Sequence, residues 1–182
     1  MPRPGPVATL SPMTTLVLTV VGDDRHGLVA AVADIVGEHG GNWENSELAE
    51  LAGAFAGIVE ISVPDAREAE LRAALGRLEG MLSVTVHAGT PTAAAAGERR
   101  VTIRVLGNDR PGIVKDVSST VAAQALSIER MTTETRDAAM AGGRLFEATI
   151  VAAVAASVDV DAVRSAVEAL ATDIQVDVAL EV

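Results

Sequence analysis

Apolar and polar positions alternate along Val101-Thr102-Ile103-Arg104-Val105, and a period of two predicts a half-buried strand. Leu16 to Val20 has the same character. After Gly22-Asp23-Asp24 the period changes: Leu28, Val32, Ile35 and Val36 fall at helical spacing, and the helix ends at His39-Gly40-Gly41, where glycine suits a helix C-terminus. Trp43 to Leu48 and Phe55 to Val63 read as strands around the turn Ala52-Gly53-Ala54. Leu71, Ala74, Leu75 and Leu78 share one helical face, and Ser83-Val84-Thr85-Val86-His87 alternates again. The order is βαββαβ.

The pattern then repeats. Leu18 to Val29 recurs as Ile103 to Val114 at an offset of 85, with Gly22, Asp24, Arg25 and Gly27 falling on Gly107, Asp109, Arg110 and Gly112. Further on, Leu71, Leu75, Leu78 and Val84 pair with Val163, Val167, Leu170 and Val176 at an offset of 92. The second copy therefore carries a 7-residue insertion, expected in Arg136 to Arg144, where Asp137, Gly142 and Gly143 suggest a longer hairpin loop. Its second helix carries Val160, Val163, Val167 and Leu170, and Ile174, Val176, Val178 and Leu180 alternate as the last strand. An α+β fold follows, of two ferredoxin-like modules, each a four-stranded antiparallel sheet with both helices on one face. The expected boundaries are a disordered leader at 1–12, modules at 13–88 and 99–182, and a linker at 89–98 whose small residues are bracketed by glycine.

Composition narrows what such modules do. Fourteen Lys and Arg against 25 Asp and Glu give a net charge of -11, which repels phosphate backbones and argues against direct nucleic-acid binding. The chain has two Phe, one Trp and no Tyr, too few aromatic groups for base-stacking platforms. Without cysteine there is no disulfide, no thiol nucleophile and no Cys-ligated zinc, and three histidines at unrelated spacings make no metal site. No phosphate loop or Ser, His and Asp constellation points to an enzyme, so neither catalytic residues nor cofactors are expected. The longest apolar run near the start, Leu16 to Val21, is too short for a membrane span, and the expected location is the cytoplasm.

The repeated polar constellation is the turn between the first strand and first helix of each copy. Candidate binding residues are Asp23, Asp24, Arg25, His26, Gly27 and Leu28, and Asn108, Asp109, Arg110, Pro111, Gly112 and Ile113. Glycine lets a ligand approach the backbone, and the open N–H groups of a helix start suit a carboxylate. Asp24 and Asp109 are placed either to receive an ammonium group or to cap their helices. Pro111 suits a first helical turn. Asn42 and Ser127, which begin the second strand of each copy, are expected to come back close to the turn and offer hydrogen bonds. A free α-amino acid carries the two charges that such a turn can hold.

At these residues the chain resembles the ACT domain family. The turns Gly22-Asp23-Asp24-Arg25-His26-Gly27-Leu28 and Gly107-Asn108-Asp109-Arg110-Pro111-Gly112-Ile113 look like that family's ligand loop. Two such modules without an attached enzyme resemble most the glycine cleavage system transcriptional repressor family. The resemblance implies a non-catalytic sensor of glycine or another small amino acid that modulates a DNA-binding regulator by protein contact. It also implies ligands held between modules paired side by side; the open edges of each sheet call for such pairing, within the chain or through a homodimer, and a homodimer is expected. The alternative is a regulatory subunit that allosterically controls an amino-acid metabolic enzyme. His26 departs from the commoner proline, so the two sites are expected to differ.

Overall fold

A computed structural model of the chain describes residues 12–90, 99–138, 143–174 and 176–181. The chain divides into two compact units, Met1–Thr92 and Ala93–Val182. The expected leader and linker lie outside the described residues, apart from Pro12, Gly89 and Thr90.

In the first unit β1 (Met13–Asp23) leads into α1 (Leu28–Glu38), then β2 (Asn42–Leu51), β3 (Ala54–Pro64), α2 (Glu68–Leu75) and β4 (Ser83–Ala88), with short 3-10 turns flanking α2. The second unit repeats the order as β5 (Arg99–Asn108), α3 (Ile113–Ala123), β6 (Ser127–Asp137), β7 (Arg144–Val154), α4 (Val160–Ile174) and β8 (Val176–Glu181). The sheets run β2-β3-β1-β4 and β6-β7-β5-β8, antiparallel throughout. Each unit is the expected four-stranded α+β module. Ile174 differs from its expectation, since it closes α4 instead of opening the last strand.

Alternation along the strands sends one face of each sheet to the core. Leu16, Leu18 and Ile61 are sealed beneath Val32 and Val36 of α1 and Leu71 and Leu75 of α2. Val101, Ile103 and Ile150 are likewise sealed beneath Val117, Val121, Val163 and Val167. Each fully buried leucine contributes roughly 1.5 to 3 kcal/mol. The recurring Gly22 and Gly107 have a packing role: a β-carbon there would stand 2.9 Å from the Met81 carbonyl oxygen and 2.3 Å from Val176 Cγ1. Only glycine lets the incoming last strand lie so close.

The extra residues of the second unit fall largely where expected. The equivalent pairs Leu51↔Ala54 and Arg136↔Leu145 enclose residues 52–53 and 137–144, so the hairpin takes up most of the insertion. Residues 139–142 of that loop lie outside the described residues.

The exits of α1 and α3 use different residues in the left-handed region. Gly40 has φ 70, whereas Ala125 takes φ 54 at the matching place. A β-carbon is strained there by about 1 to 2 kcal/mol, while glycine costs more chain entropy. Ala125→Gly is therefore expected to stabilise the second unit by about 0.5 to 1 kcal/mol. Urea denaturation checks this, as a rise in midpoint at unchanged slope.

Candidate functional site: the strand-to-helix turns

Asp23 and Asn108 end their strands, and the helices begin at Leu28 and Ile113. The connections are anchored to the neighbouring hairpin: Asp24 N–H donates to the Gly53 carbonyl at 2.8 Å, and Asp109 N–H to the Arg144 carbonyl at 2.8 Å. Gly27 (φ 89) and Gly112 (φ 94) then hold the N-cap positions in the left-handed conformation. A side chain would be strained at either position, so the conformation of the turn itself calls for glycine. The first helix-closing bonds run from Ala31 N–H to the Gly27 carbonyl at 2.9 Å and from Asp116 N–H to the Gly112 carbonyl at 3.0 Å. The preceding N–H groups, those of Leu28 to Ala30 and of Ile113 to Lys115, have no acceptor within the helix. They form two short cradles of open donors, a chemistry that suits an anion.

The helix-capping expectation for Asp24 and Asp109 is overturned. Neither helix has a side-chain cap hydrogen bond, because the N-cap is the glycine three residues further on. Pro111 likewise precedes the helix. Asp24→Ala is therefore expected to change stability by under about 0.5 kcal/mol, the usual range of a surface substitution without a cap or buried partner. Thermal denaturation without ligand checks this.

Asn42 and Ser127 are also placed differently from expectation. Asn42 pairs with Ser62 and Ser62 with Thr15, near the beginning of β1, whereas the turn leaves its far end. Ser127 pairs with Ala153, which faces Arg100 near the beginning of β5. Each stands on the order of 25 Å from its own module's turn, about eight residues of strand. The cause is topological: β1 and β2 run in the same direction on either side of β3, so their beginnings share one end of the sheet. Asn42 instead hydrogen-bonds Glu44, whose carboxylate also accepts the Ser62 hydroxyl at 2.5 Å. The Ser62 bond first, then Asn42, holds the Glu44 carboxyl below its usual range. With its folded pKa depressed, Glu44 favours folding above the unfolded value, an effect lost as pH falls through the folded one.

The two turns are not electrostatic twins. Arg110 donates to Asp116 at 2.8 Å and to the Pro111 carbonyl at 3.2 Å, so a carboxylate already stands in the first turn of α3. The first turn of α1 has no acid, and Ala31 stands at the place of Asp116. Arg25 lies 3.7 Å from Asp23, in an exposed and loose pair. His26 and Asn108 are exposed at their turns. His39, by contrast, is buried at the end of α1 with Nδ1 2.7 Å from the Ile35 carbonyl.

Sequence reasoning passed over Val29 and Val114, equivalent residues that are 43% and 44% exposed beside the two cradles. Their signal was present as apolar residues off the buried helical stripe. Beneath α1 a void of about 10 Å³ lies among core side chains that include Val20, Leu28, Val32, Val59 and Leu82, with Val29 at its margin. That is room for about one water-sized group. Among the described residues, no three acidic or histidine side chains gather to hold a metal ion, and no helix is long and apolar enough to cross a membrane.

Two βαββαβ modules, each presenting a glycine-capped helix start, define a tandem two-module α+β protein. The ACT domain sequence profile matches residues 14–89. Residues of this chain are also 36% identical over 76 positions to a UPF0237 protein of Methanopyrus kandleri, an alignment spanning 41% of this chain and 84% of the relative. The chain belongs to the ACT domain family, whose modules are regulatory and non-catalytic. Among solved structures, a Galdieria sulphuraria protein superposes with a TM-score of 0.84 at 26% identity, over 93% of this chain and 98% of that one. The crystal structure of a candidate glycine cleavage system transcriptional repressor gives a TM-score of 0.69 at 21% identity, over 94% of this chain and 98% of its own. Both share the fold over nearly their full length.

Proposed function

We propose that this chain is an amino-acid sensor that passes occupancy to a transcriptional regulator by protein contact. The observation that carries the reading is the open cradle of helix N–H groups behind Gly27, which suits an amino acid's carboxylate. Asp23 and Asp24, exposed beside it, supply negative charge for the ammonium group. The proposed ligand is glycine or another small amino acid. The two-module likeness to the candidate repressor supports a regulator as partner. Charge supports contact with protein over DNA, since -11 disfavours phosphate contacts.

Pairing of modules belongs to the same reading. β2 and β6 are edge strands of ten and eleven residues, longer than β4 and β8. Antiparallel pairing along such edges brings the beginning of one strand beside the end of its neighbour. Asn42 or Ser127 would then reach the turn of another module, which a homodimer supplies. Light scattering with and without amino acid tests the pairing. Thermal shift across the free amino acids tests the sensing, since a ligand at 100 times its Kd adds about 2.7 kcal/mol of apparent stability. Stabilisation by one or a few small amino acids is expected; no response from any of them contradicts it.

A further inference from the structure

The two modules share a fold, yet the sheet faces that turn away from the helices differ in chemistry. An antiparallel sheet with one face on the core normally turns polar residues to water on the other. The second module does so with Arg104, Glu147 and Thr149, whereas the first has Thr19, Ala56 and Ile58 at the same register positions. Val21 and Ile58 are 52% and 51% exposed on that face, with Val17 half-buried beside them. The fold does not require this apolar choice, and a contiguous exposed apolar patch marks a surface that meets another protein. Charge on the face is one-sided. No Lys or Arg occurs in β1 to β4. Glu44, Glu47 and Glu60 lie on β2 and β3, Asp23 stands at the far end of β1, and β4 turns Ser83, Thr85 and His87 outward without an acid.

We infer that this face is an interface between two copies of the chain, packed sheet on sheet about a two-fold axis that runs along β1. The strand order β2-β3-β1-β4 makes the face complementary to itself. In aligned sheet packing, rotation about β1 lays β3 of one copy over β4 of the other and leaves β2 at the rim. Val17, Thr19 and Val21 then meet their own counterparts along the axis. Ile58 meets Thr85 of the second copy, since both pair with Thr19 from opposite sides. Glu60 and His87 likewise flank Val17, so the same rotation sets each Glu60 carboxylate against a His87 ring whose N–H can donate to it. Glu44 and Glu47 stay solvated at the rim, away from any acid of the second copy. Among Val17, Asn45, Ile58 and Glu60 a depression of about 160 Å³ is open to take the imidazole. The size also fits: at a strand spacing of about 4.8 Å, β1, β3 and β4 cover roughly 450 Å² in plan. Accessible area exceeds plan area on a corrugated face, which brings each side near the roughly 600 Å² at which stable specific interfaces begin. The edge of β2 remains open, so this contact adds to edge pairing and does not replace it.

Sedimentation velocity of the full chain at micromolar concentration, without amino acid, tests the interface. A mass of an even number of chains is expected. Thr19→Arg combined with Ala56→Glu and Ile58→Thr should halve that mass and leave the circular dichroism spectrum unchanged, because the second module folds with these residues at the same positions. His87→Glu, which sets an acid against Glu60, should weaken association about tenfold or more. Adding Glu60→Lys to His87→Glu should restore it. Both residues are exposed, so this pair of variants decides the matter even where the triple variant does not fold. A monomeric wild-type chain overturns the inference. So does a folded triple variant of undiminished mass, which would leave edge pairing as the contact. Failure of Glu60→Lys to rescue His87→Glu overturns it too. None of these outcomes bears on whether the Gly27 turn holds an amino acid, which is measured separately.

Discussion

Gly57→Ala is expected to destabilise the first module by about 2 to 3 kcal/mol, a large effect for the addition of one methyl group. Gly57 lies on β3 opposite Leu48 of β2. A β-carbon there would stand 2.1 Å from the Glu47 carbonyl oxygen and 2.7 Å from Leu48 Cδ2. The first obstacle is backbone, so relief requires β2 to move, and the Leu48 packing against the core moves with it. The second module carries buried Ala148 at the equivalent place, opposite Thr133. The constraint thus belongs to the local path of β2 around Leu48 and not to the fold. Urea denaturation measures the loss, and Ala148→Gly serves as the contrasting variant with a cost of about 1 kcal/mol.

Gly27→Val has the larger expected effect on binding. Gly27 holds φ 89 at the N-cap of α1, in free space, so the obstacle to a side chain is conformational and not steric. A β-branched residue in that region carries roughly 1 to 3 kcal/mol of strain. The turn relieves the strain by rotating away from the left-handed conformation, which redirects the Leu28 to Ala30 N–H groups. Amino-acid affinity is expected to fall about tenfold or more, with a stability loss of about 1 to 3 kcal/mol. Gly112→Val, at φ 94, carries the same strain. It should lower stability equally while leaving first-turn affinity unchanged. Calorimetric titration beside thermal denaturation separates the two effects.

The fold was legible in the sequence because two independent copies carried one pattern. Alternation in Val101 to Val105 and the helical spacing of Leu28, Val32 and Val36 are enforced by burial of one face, and burial leaves a periodic trace. The turn was legible for a related reason, since its glycines answer to backbone needs that the repeat preserves. Its internal geometry was less so. Asp24 and Asp109 have the composition of a cap, yet the left-handed Gly27 and Gly112 move the true N-cap three residues onward, and only the conformation shows it. Asn42 and Ser127 were misplaced by neglecting direction: strands that flank a common antiparallel neighbour run in parallel, so their beginnings lie at one end. The register of β2 shifts by one residue at Glu44 and that of β6 at Glu129, and these bulges left no periodic trace, because each is one extra residue in an edge strand. The Ala31 and Asp116 difference stood in the repeat alignment at the offset of 85.

The central claim is that the turn behind Gly27 holds a free amino acid, and isothermal titration of the full-length chain with glycine and each other amino acid tests it most directly. The account predicts saturable binding by at least one small amino acid, weakened about tenfold or more by Gly27→Val. Saturable binding left intact by Gly27→Val, or no heat of binding from any amino acid up to millimolar concentration, would contradict it.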